Sequence, residues 1–190
     1  MSPGLDRTAV FVDAGYLFAS GSRALTPTGD KLQRSQLHLD HEAVLKLLLG
    51  LVTELTGLPL LRVYWYDGAS VGPNAAHIAL AYRPNLKLRL GQVDDRGQQQ
   101  GVDALLIADL ATLAKNHACA DALVLTGDDD IRPGVEQAQE HGVRVHLLGI
   151  PPARENQAAA LVQAADSVRE FTKDELRSFL SLAPKRPSAG

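Results

Sequence analysis

The feature that most constrains the fold of this chain is a repeated alternation between short apolar runs and segments with helical spacing. Runs such as "AVFVD" (9–13) are continuously apolar, as strands buried on both faces of a sheet are. Parallel strands need crossover connections, which helices usually provide. The sequence therefore predicts an α/β fold with a parallel, doubly wound central sheet of about five to six strands. The predicted strands are 9–13, 60–67, 86–91, 121–128 and 143–150, with a shorter extended piece near 167–170.

The predicted helices lie between these strands and carry recognisable end signals. Asp40 is placed to cap a helix that runs to about Thr56, and Gly57 is placed to end it. By contrast, the stretch 21–39 is polar and turn-rich, and it predicts a long loop. The other predicted helices are 74–82, 102–118, one that begins at Pro133 and closes at Gly142, 157–164, and a last helix after a Thr172–Glu175 capping box.

Length and composition fit one domain. With 190 residues and 45% hydrophobic content, we expect a single domain over 1–182 and a disordered tail over 183–190. No apolar run approaches the roughly 20 residues that span a bilayer, and the single cysteine, Cys119, excludes an intrachain disulfide. We therefore expect a cytoplasmic protein without membrane contact. A net charge of −3 argues against sequence-independent coating of nucleic acid but leaves room for a local basic groove.

Aspartates follow the ends of two predicted strands. Asp13 ends the first predicted strand and Asp128 ends the fourth, and Asp130 follows Asp128 by two residues in a turn of "LVLTGDDD" (123–130). A strand order of 3-2-1-4-5 makes the first and fourth strands neighbours at the topological switch point, where such sheets bind ligands. Asp103, at the start of the helix before the fourth strand, is a candidate for the same crevice. A single Asp after a strand is more often a cap or turn residue, so the paired strand ends are the stronger evidence.

These four carboxylates predict a divalent cation. Like charges in one pocket repel one another and destabilise the fold unless a cation neutralises them. Oxygen ligands without clustered histidine or cysteine favour Mg²⁺ or Mn²⁺ over zinc or copper. Such an ion can lower the pKa of a bound water and stabilise charge on a phosphoryl oxygen. The chain has no Gly-rich phosphate loop, calcium hand or G-x-S-x-G elbow that would indicate another chemistry.

Four blocks of the sequence occur in a characteristic order between about Thr8 and Phe171. They are "VFVDAGYL", "QQGVDALLIADLATLA", "DALVLTGDDDIRPGVEQAQEHGVRVHLLG" and "LVQAADSVREF". Together they resemble the NYN domain, in its LabA-like bacterial branch, which is part of the PIN-like nuclease superfamily. The resemblance implies a PIN-like three-layer α/β fold, an acidic pocket that depends on Mg²⁺ or Mn²⁺, and hydrolysis of RNA phosphodiester bonds.

The resemblance also assigns acids by their position in these blocks. Asp109 matches a further acid of the helix, but it lies six residues beyond Asp103 and points about 120° away from it, so it ranks second. Asp129 is a second-rank candidate as well. The residues that correspond to the metal-binding and catalytic acids are Asp13, Asp103, Asp128 and Asp130.

Two positions depart from the family's pattern. Tyr16 stands where many relatives have Asn, which removes a side chain that could orient metal or water. Gln100 stands where Lys commonly precedes "GVD", which removes a cation near the phosphate. Both departures leave the acids intact.

The interpretation from sequence is a metal-dependent ribonuclease that cuts single-stranded or structured RNA. Lys87, Arg89 and Arg96 are the candidate contacts to the RNA backbone, although such residues also serve as solubilising surface charges. The main alternative is a non-catalytic regulatory module that binds RNA or a protein, which Tyr16 and Gln100 favour. A further alternative is a phosphate-handling receiver or phosphatase-like domain, which also places acids at strand ends. It is weaker because the phosphatase pattern needs a D-x-D pair on the first strand, where only Asp13 appears. The sequence leaves open whether the protein is a homodimer.

Overall fold

The computed structural model describes residues 6–93 and 99–184, and a parallel β-sheet forms its centre. Six strands run parallel, and the one short antiparallel strand of this sheet extends its edge. The strands are β1 (Thr8–Asp13), β2 (Leu37–Leu39), β3 (Leu60–Ala69), β4 (Leu86–Val93), β5 (Gln99–Gln100), β6 (Asp121–Leu125), β7 (Arg144–Gly149), β8 (Ser167–Glu170) and β9 (Leu180–Leu182).

The strand order confirms the predicted arrangement. The sheet runs β5-β4-β3-β1-β6-β7-β8, so the chain builds outward from β1 first on one side and then on the other. The switch point therefore lies between β1 and β6, the two strands that were expected to carry acids beyond their ends. The weakly predicted extended piece is β8, which pairs in parallel with β7 at the edge of the sheet.

The helices begin and end close to the predicted residues. Asp40 caps α2 by accepting hydrogen bonds from the backbone N–H groups of Glu42 and Ala43, and Gly57 ends the helix. Thr172 and Glu175 form the predicted capping box of α8. The helices are α1 (Ala14–Leu25), α2 (His41–Thr56), α3 (Ala75–Ala81), α4 (Val102–Lys115), α5 (Arg132–Glu140), α6 (Ala153–Asn156), α7 (Ala159–Ala164) and α8 (Lys173–Phe179).

The sheet separates two apolar cores, which gives the fold three layers. Successive side chains of β1 point to opposite faces, so Val10 and Val12 pack with residues of α1, α2 and α8. Ala9 and Phe11 pack instead with residues of α4, α5 and α7. Every residue of β1 is buried, which explains why the strand reads as a continuous apolar run.

The predicted loop over 21–39 was wrong in part. Helix α1, which the sequence did not predict, begins directly after β1 and ends at Leu25. Leu37–Leu39 forms β2, which pairs with β9 in a small antiparallel sheet. The small residues that suggested a loop instead allow close packing, because a Cβ at Gly21 would lie 2.4 Å from Cδ2 of Leu180. A sequence pattern rich in Gly and Ser does not distinguish a turn from a tight helix contact.

Some expectations fall on residues that the structure does not describe. Arg96 and positions 185–190 of the predicted tail lie outside the described residues. The single-domain organisation, the disorder of the tail and the cytoplasmic location stay predictions. Among the described residues, none of the helices combines the length and apolar character that crossing a bilayer requires.

Candidate functional site

Asp13 ends β1 and also caps α1, so its carboxylate is held from two directions. Its Oδ1 accepts a hydrogen bond from the Tyr16 backbone N–H at 3.1 Å, and its Oδ2 accepts one from the Thr126 hydroxyl at 3.1 Å. Burial raises the pKa of Asp13 above its ordinary value, and the negative charge of Asp128 raises it further. The side chain is therefore a helix cap that also contacts the end of the neighbouring strand.

The tight turn after β6 places the next two acids beside Asp13. A Cβ at Gly127 would lie 2.2 Å from the Asn156 carbonyl oxygen and 2.5 Å from the Tyr16 ring, so only glycine fits there. Asp128 then caps a short 3₁₀ helix (Asp129–Ile131) by accepting a hydrogen bond from the Asp130 backbone N–H at 3.0 Å. The turn leaves the side chains of Asp128 and Asp130 exposed.

Asp103 reaches the same region from a third element. Gly101 precedes α4 with a φ of 79°, a left-handed conformation that residues with a Cβ rarely adopt. This sharp entry puts Asp103 in the first turn of α4, where the partial positive charge of the helix terminus favours a carboxylate. Asp103 is half-buried.

Carboxylate oxygens of Asp103, Asp128 and Asp130 all lie within 4.8 Å of one another. We term these residues the acidic trio. Within residues 6–93 and 99–184, no Lys, Arg or His forms an ion pair with any of them. Asp13 lies outside the trio but lines the same open pocket of about 590 Å³ together with Asp103 and Asp128. This cavity, at the carboxyl end of β1 and β6, is the acidic pocket.

Burial and the neighbouring acids together make the carboxyl group of Asp103 harder to ionise. Burial, followed by the negative charges of Asp13, Asp128 and Asp130, raises the pKa of Asp103 to about 6. At neutral pH the folded protein therefore concentrates negative charge that its own described cations do not offset. Such an arrangement destabilises the fold unless something else supplies positive charge.

The donor set of the acidic trio fits a divalent cation. One oxygen atom from each carboxylate of the trio lies within 4.8 Å of the others. Two ligands of one Mg²⁺ ion lie at most about 4.2 Å apart, so small side-chain movements would bring these oxygens onto one ion. All three ligands are carboxylates, which favours Mg²⁺ or Mn²⁺, and two of them are exposed, so an ion can reach them.

Comparison with known proteins identifies the family of this chain. The sequence profile of the NYN domain matches residues 7–173. This chain belongs to the NYN domain family. NYN domains are part of the PIN-like superfamily; they are generally nucleases, and PIN-like nucleases usually use divalent metals. The expected LabA-like branch stays a prediction.

Two known proteins are similar to this chain. The chain is 48% identical over 109 residues to the uncharacterized protein y4oD of Sinorhizobium fredii. That match covers 57% of this chain and 51% of y4oD, so the chain spans about half the length of that relative. A crystal structure of a protein of unknown function, VPA0982 from Vibrio parahaemolyticus, superposes with a TM-score of 0.63 at 18% identity, covering 95% of this chain and 99% of the other. This likeness shows a shared α/β fold.

The two acids of second rank lie apart from the acidic trio of this NYN domain. The Asp129 carboxylate lines the acidic pocket, but its Oδ1 accepts a hydrogen bond from Nε of Arg132 at 3.2 Å. Asp109 is not among the residues that line the pocket. Its Oδ2 accepts hydrogen bonds from the Tyr66 hydroxyl at 2.9 Å and from Nε of Arg89 at 2.8 Å. Both carboxylates are therefore compensated by a protein cation, unlike the trio.

Tyr16 lines the acidic pocket of the NYN domain, but its hydroxyl is engaged elsewhere. It accepts a hydrogen bond from the Ile150 backbone N–H at 3.0 Å and donates one to Oδ1 of Asn156 at 2.5 Å. Burial raises the pKa of Tyr16, so the phenol stays protonated. The side chain of Gln100, the other departure from the family's pattern, lies outside what the structure describes.

The three predicted RNA contacts differ in their surroundings. Lys87 is exposed and forms no ion pair with the described residues. Two donors of the Arg89 guanidinium bind the carboxylate of Asp109, so this cation is already neutralised by the protein. A contact between either residue and RNA stays a prediction, as does that of Arg96.

Sequence reasoning missed three polar residues that support the site. Thr126 is buried, donates to Asp13 and accepts from the Asp128 backbone N–H at 3.4 Å, and so couples the two strand ends. Gln157 donates to the carbonyl oxygens that end β6 and β7, at 2.8 and 2.9 Å. Thr126 stands inside "LVLTGDDD" and could have been found, whereas no local pattern marks Gln157 or Asn156.

Proposed function

We propose that this NYN domain is a ribonuclease that depends on Mg²⁺ or Mn²⁺ and hydrolyses RNA phosphodiester bonds at the acidic pocket. The observation that carries the proposal is the acidic trio, three carboxylates that lie within 4.8 Å of one another without a cation among the described residues. The family adds support, because NYN domains are generally nucleases.

Asp103, Asp128 and Asp130 are the residues that would hold the ion. A divalent cation at this position supplies a Lewis acid that activates water and offsets charge on the phosphoryl oxygens. Asp13 lies outside the trio, and each of its oxygens accepts a hydrogen bond from the chain, which holds the carboxylate in place. It fixes a negative charge at the wall of the pocket and holds the "TGD" turn in place through Thr126.

The negative charge of the acidic pocket also affects access of the substrate. An RNA phosphate is an anion, so a pocket with four carboxylates repels it at neutral pH. Once the trio is neutralised, the remaining walls, which include Tyr16, Val102 and Ala158, present largely apolar surface to the sugar and base. Cation binding should therefore favour entry of the reacting phosphate into the acidic pocket, although the rest of the strand can bind without it.

The test is cleavage of labelled RNA by wild type and by Asp128→Asn. With millimolar Mn²⁺ or Mg²⁺ we expect wild type to cut single-stranded RNA, and EDTA to stop it. Asp128→Asn should reduce the rate on the order of 10²-fold or more, because one ligand charge is lost while the turn keeps its capping oxygen. Binding of RNA measured in EDTA should be unchanged or slightly tighter, since a negative charge is removed.

Asp129→Asn is the matched control, because it removes a carboxylate from the same turn but not from the trio. We expect it to lose far less activity than Asp128→Asn. If wild type binds RNA or a protein partner tightly yet cuts none of a varied set of RNAs with any divalent ion, the nuclease proposal fails. The regulatory alternative would then describe the protein.

A further inference from the structure

A second pocket adjoins the acidic pocket along α1. It has a volume of about 460 Å³, and its walls come from α1, from the loop after α1, from α6 and from the start of α8. Two cations, Arg23 and Lys173, lie in these walls together with the polar residues Ser20, Thr28 and Asn156. We term this cavity the basic pocket.

A thin partition separates the two pockets. Tyr16 lines the acidic pocket, Asn156 lines the basic pocket, and the hydrogen bond between their side chains measures 2.5 Å. Along α1, Tyr16 and Ala19 face the acidic pocket, while Ser20 and Arg23 face the basic pocket. Residues spaced by three or four lie on one helix face, so one face of α1 forms a continuous floor from the acids to Arg23.

The cations of the basic pocket are free to bind an anion. Neither Arg23 nor Lys173 pairs with a carboxylate of the described residues, and both side chains are exposed. The pocket also contains Glu155, whose Oε1 lies 3.8 Å from Nε of Arg154, so its charge is partly offset. Most arginines of the described chain form ion pairs, Arg89 among them, so an unpaired arginine beside a lysine in one cavity can bind an anion.

We propose that the basic pocket binds a backbone phosphate of the RNA strand adjacent to the phosphate at the acidic pocket. This inference rests on the proposed function, and it adds the path of the strand, which follows α1 from Tyr16 toward Arg23. Ala19 lines the acidic pocket and Arg23 lines the basic pocket, four residues or about 6 Å further along the helix axis. The two pockets therefore follow one another along the same helix. Arg23 and Lys173 supply the charge, and the hydroxyls of Ser20 and Thr28 supply further hydrogen bonds.

The structure favours this path over the predicted one across β4. The guanidinium of Arg89 is neutralised by Asp109, which leaves Lys87 as the exposed cation of that strand among the described residues. The basic pocket instead presents two unpaired cations in a concave surface that shares a wall with the acids. Concave sites hold an extended strand better than scattered surface charges do.

The test is the double variant Arg23→Ala/Lys173→Ala, with Lys46→Ala/Lys115→Ala as the matched control that removes two exposed, unpaired lysines elsewhere. Binding of a single-stranded RNA of about a dozen nucleotides is measured in EDTA over a range of salt concentrations. We expect the test variant to bind roughly tenfold more weakly. Its log–log salt slope should be shallower by about 1.4, which corresponds to two lost phosphate contacts at roughly 0.7 each.

Cleavage kinetics separate this inference from the proposed function. In Mn²⁺ the test variant should show a KM raised about as much as Kd, with kcat within about twofold of wild type, because its contacts lie away from the reacting phosphate. If test and control variants bind alike while wild type cuts RNA, the basic pocket is not a phosphate site and the nuclease proposal stands. If wild type cuts no RNA, but the test variant binds RNA more weakly than both wild type and the control variant, the basic pocket is a phosphate site and the nuclease proposal fails.

Discussion

The two ends of β6 carry aspartates in opposite circumstances. Asp121 begins the strand and is fully buried, but its Oδ2 accepts a hydrogen bond from Arg144 at 2.9 Å and its Oδ1 lies 2.8 Å from Nε2 of His146. Asp128 follows the other end of the strand and is exposed, with two further acids beside it and no ion pair among the described residues. The protein neutralises the buried acid itself and leaves the exposed acids without a counter-charge.

This difference separates a structural acid from the acids that we propose bind an ion. Burial of an isolated carboxylate is so costly that Asp121 can persist only with its partners. The orientation of the His146 ring is fixed from both sides, because its Nδ1 lies 2.7 Å from the Ser167 hydroxyl while its Nε2 faces Asp121. Among the residues that the structure describes, no cation supports the acidic trio in this way, so its repulsion persists and binding of a divalent ion would relieve it.

The largest expected effect is on the unfolding of Asp121→Asn. The neutral Asn side chain has one acceptor oxygen where Asp121 has two, so it cannot replace both the Arg144 and the His146 contact without turning its amide N–H group toward one of them, and the charge that pairs with Arg144 is lost. We expect the free energy of unfolding to fall by about 3 kcal/mol. Asp103→Asn should leave stability unchanged or slightly higher at neutral pH, because it relieves repulsion and its carboxylate accepts no hydrogen bond from the described residues.

Urea denaturation of both variants at pH 7 measures the contrast directly. A comparable loss of stability in Asp121→Asn and Asp103→Asn would mean that the charges of the trio are already compensated in solution, and the contrast would fail. Asp121→Asn should also keep the metal-dependent activity of wild type at temperatures where it stays folded.

The next effect in size is stabilisation by a divalent ion. A ligand that binds only the native state at ten times its Kd stabilises it by about 1.4 kcal/mol, which raises the Tm of a domain of this size by roughly 3–6 °C. We expect Mn²⁺ to raise the Tm of wild type and of the control Asp129→Asn in this way, and to have little effect on Asp128→Asn. The measurement is the difference in Tm between a thermal scan in Mn²⁺ and a scan in the same buffer with EDTA in place of the ion. An equal gain in wild type and Asp128→Asn would place the ion outside the trio.

Most of the fold could be predicted from the sequence because local patterns encode it. The strands of a parallel sheet are buried on both faces, so runs such as that of β1 are apolar throughout and easy to recognise. The alternation of strands and helices predicted a doubly wound parallel sheet, and the strand order was taken from the common arrangement of such sheets. The small sheet of β2 and β9 was missed because it joins segments about 140 residues apart, and short strands carry little pattern of their own.

The candidate site was predictable to a lesser degree. The acids stood out because strand ends next to the switch point converge on one crevice. Which acids are compensated was not predictable, since Asp109 meets Arg89 and Asp129 meets Arg132 through contacts that depend on side-chain direction. The basic pocket was missed for the same reason, because Arg23 and Lys173 are about 150 residues apart and the first was assigned to a loop.

The smallest expected effect is the pH dependence of stability that Asp103 contributes. The pKa of Asp103 is raised from 3.8 to about 6 in the folded protein, so between these values the native state binds more protons than the unfolded state. Stability from this group is therefore greatest at low pH and is lost as pH rises through about 6. Asp103 is half-exposed, so solvent screening limits the effect to about 1 kcal/mol or less.

The difference in free energy of unfolding between Asp103→Asn and wild type isolates this contribution, because the other titrating groups are common to both proteins. The difference should be near zero at about pH 4, should grow in favour of Asp103→Asn up to about pH 7, and should then stay constant. Saturating Mn²⁺ should reverse it above pH 6, since the ion favours the ionised carboxylate that only wild type provides. A difference that is flat across the whole range would mean that Asp103 does not share its pocket with the charges of Asp13, Asp128 and Asp130, and the contrast between the two ends of β6 would lose its electrostatic basis.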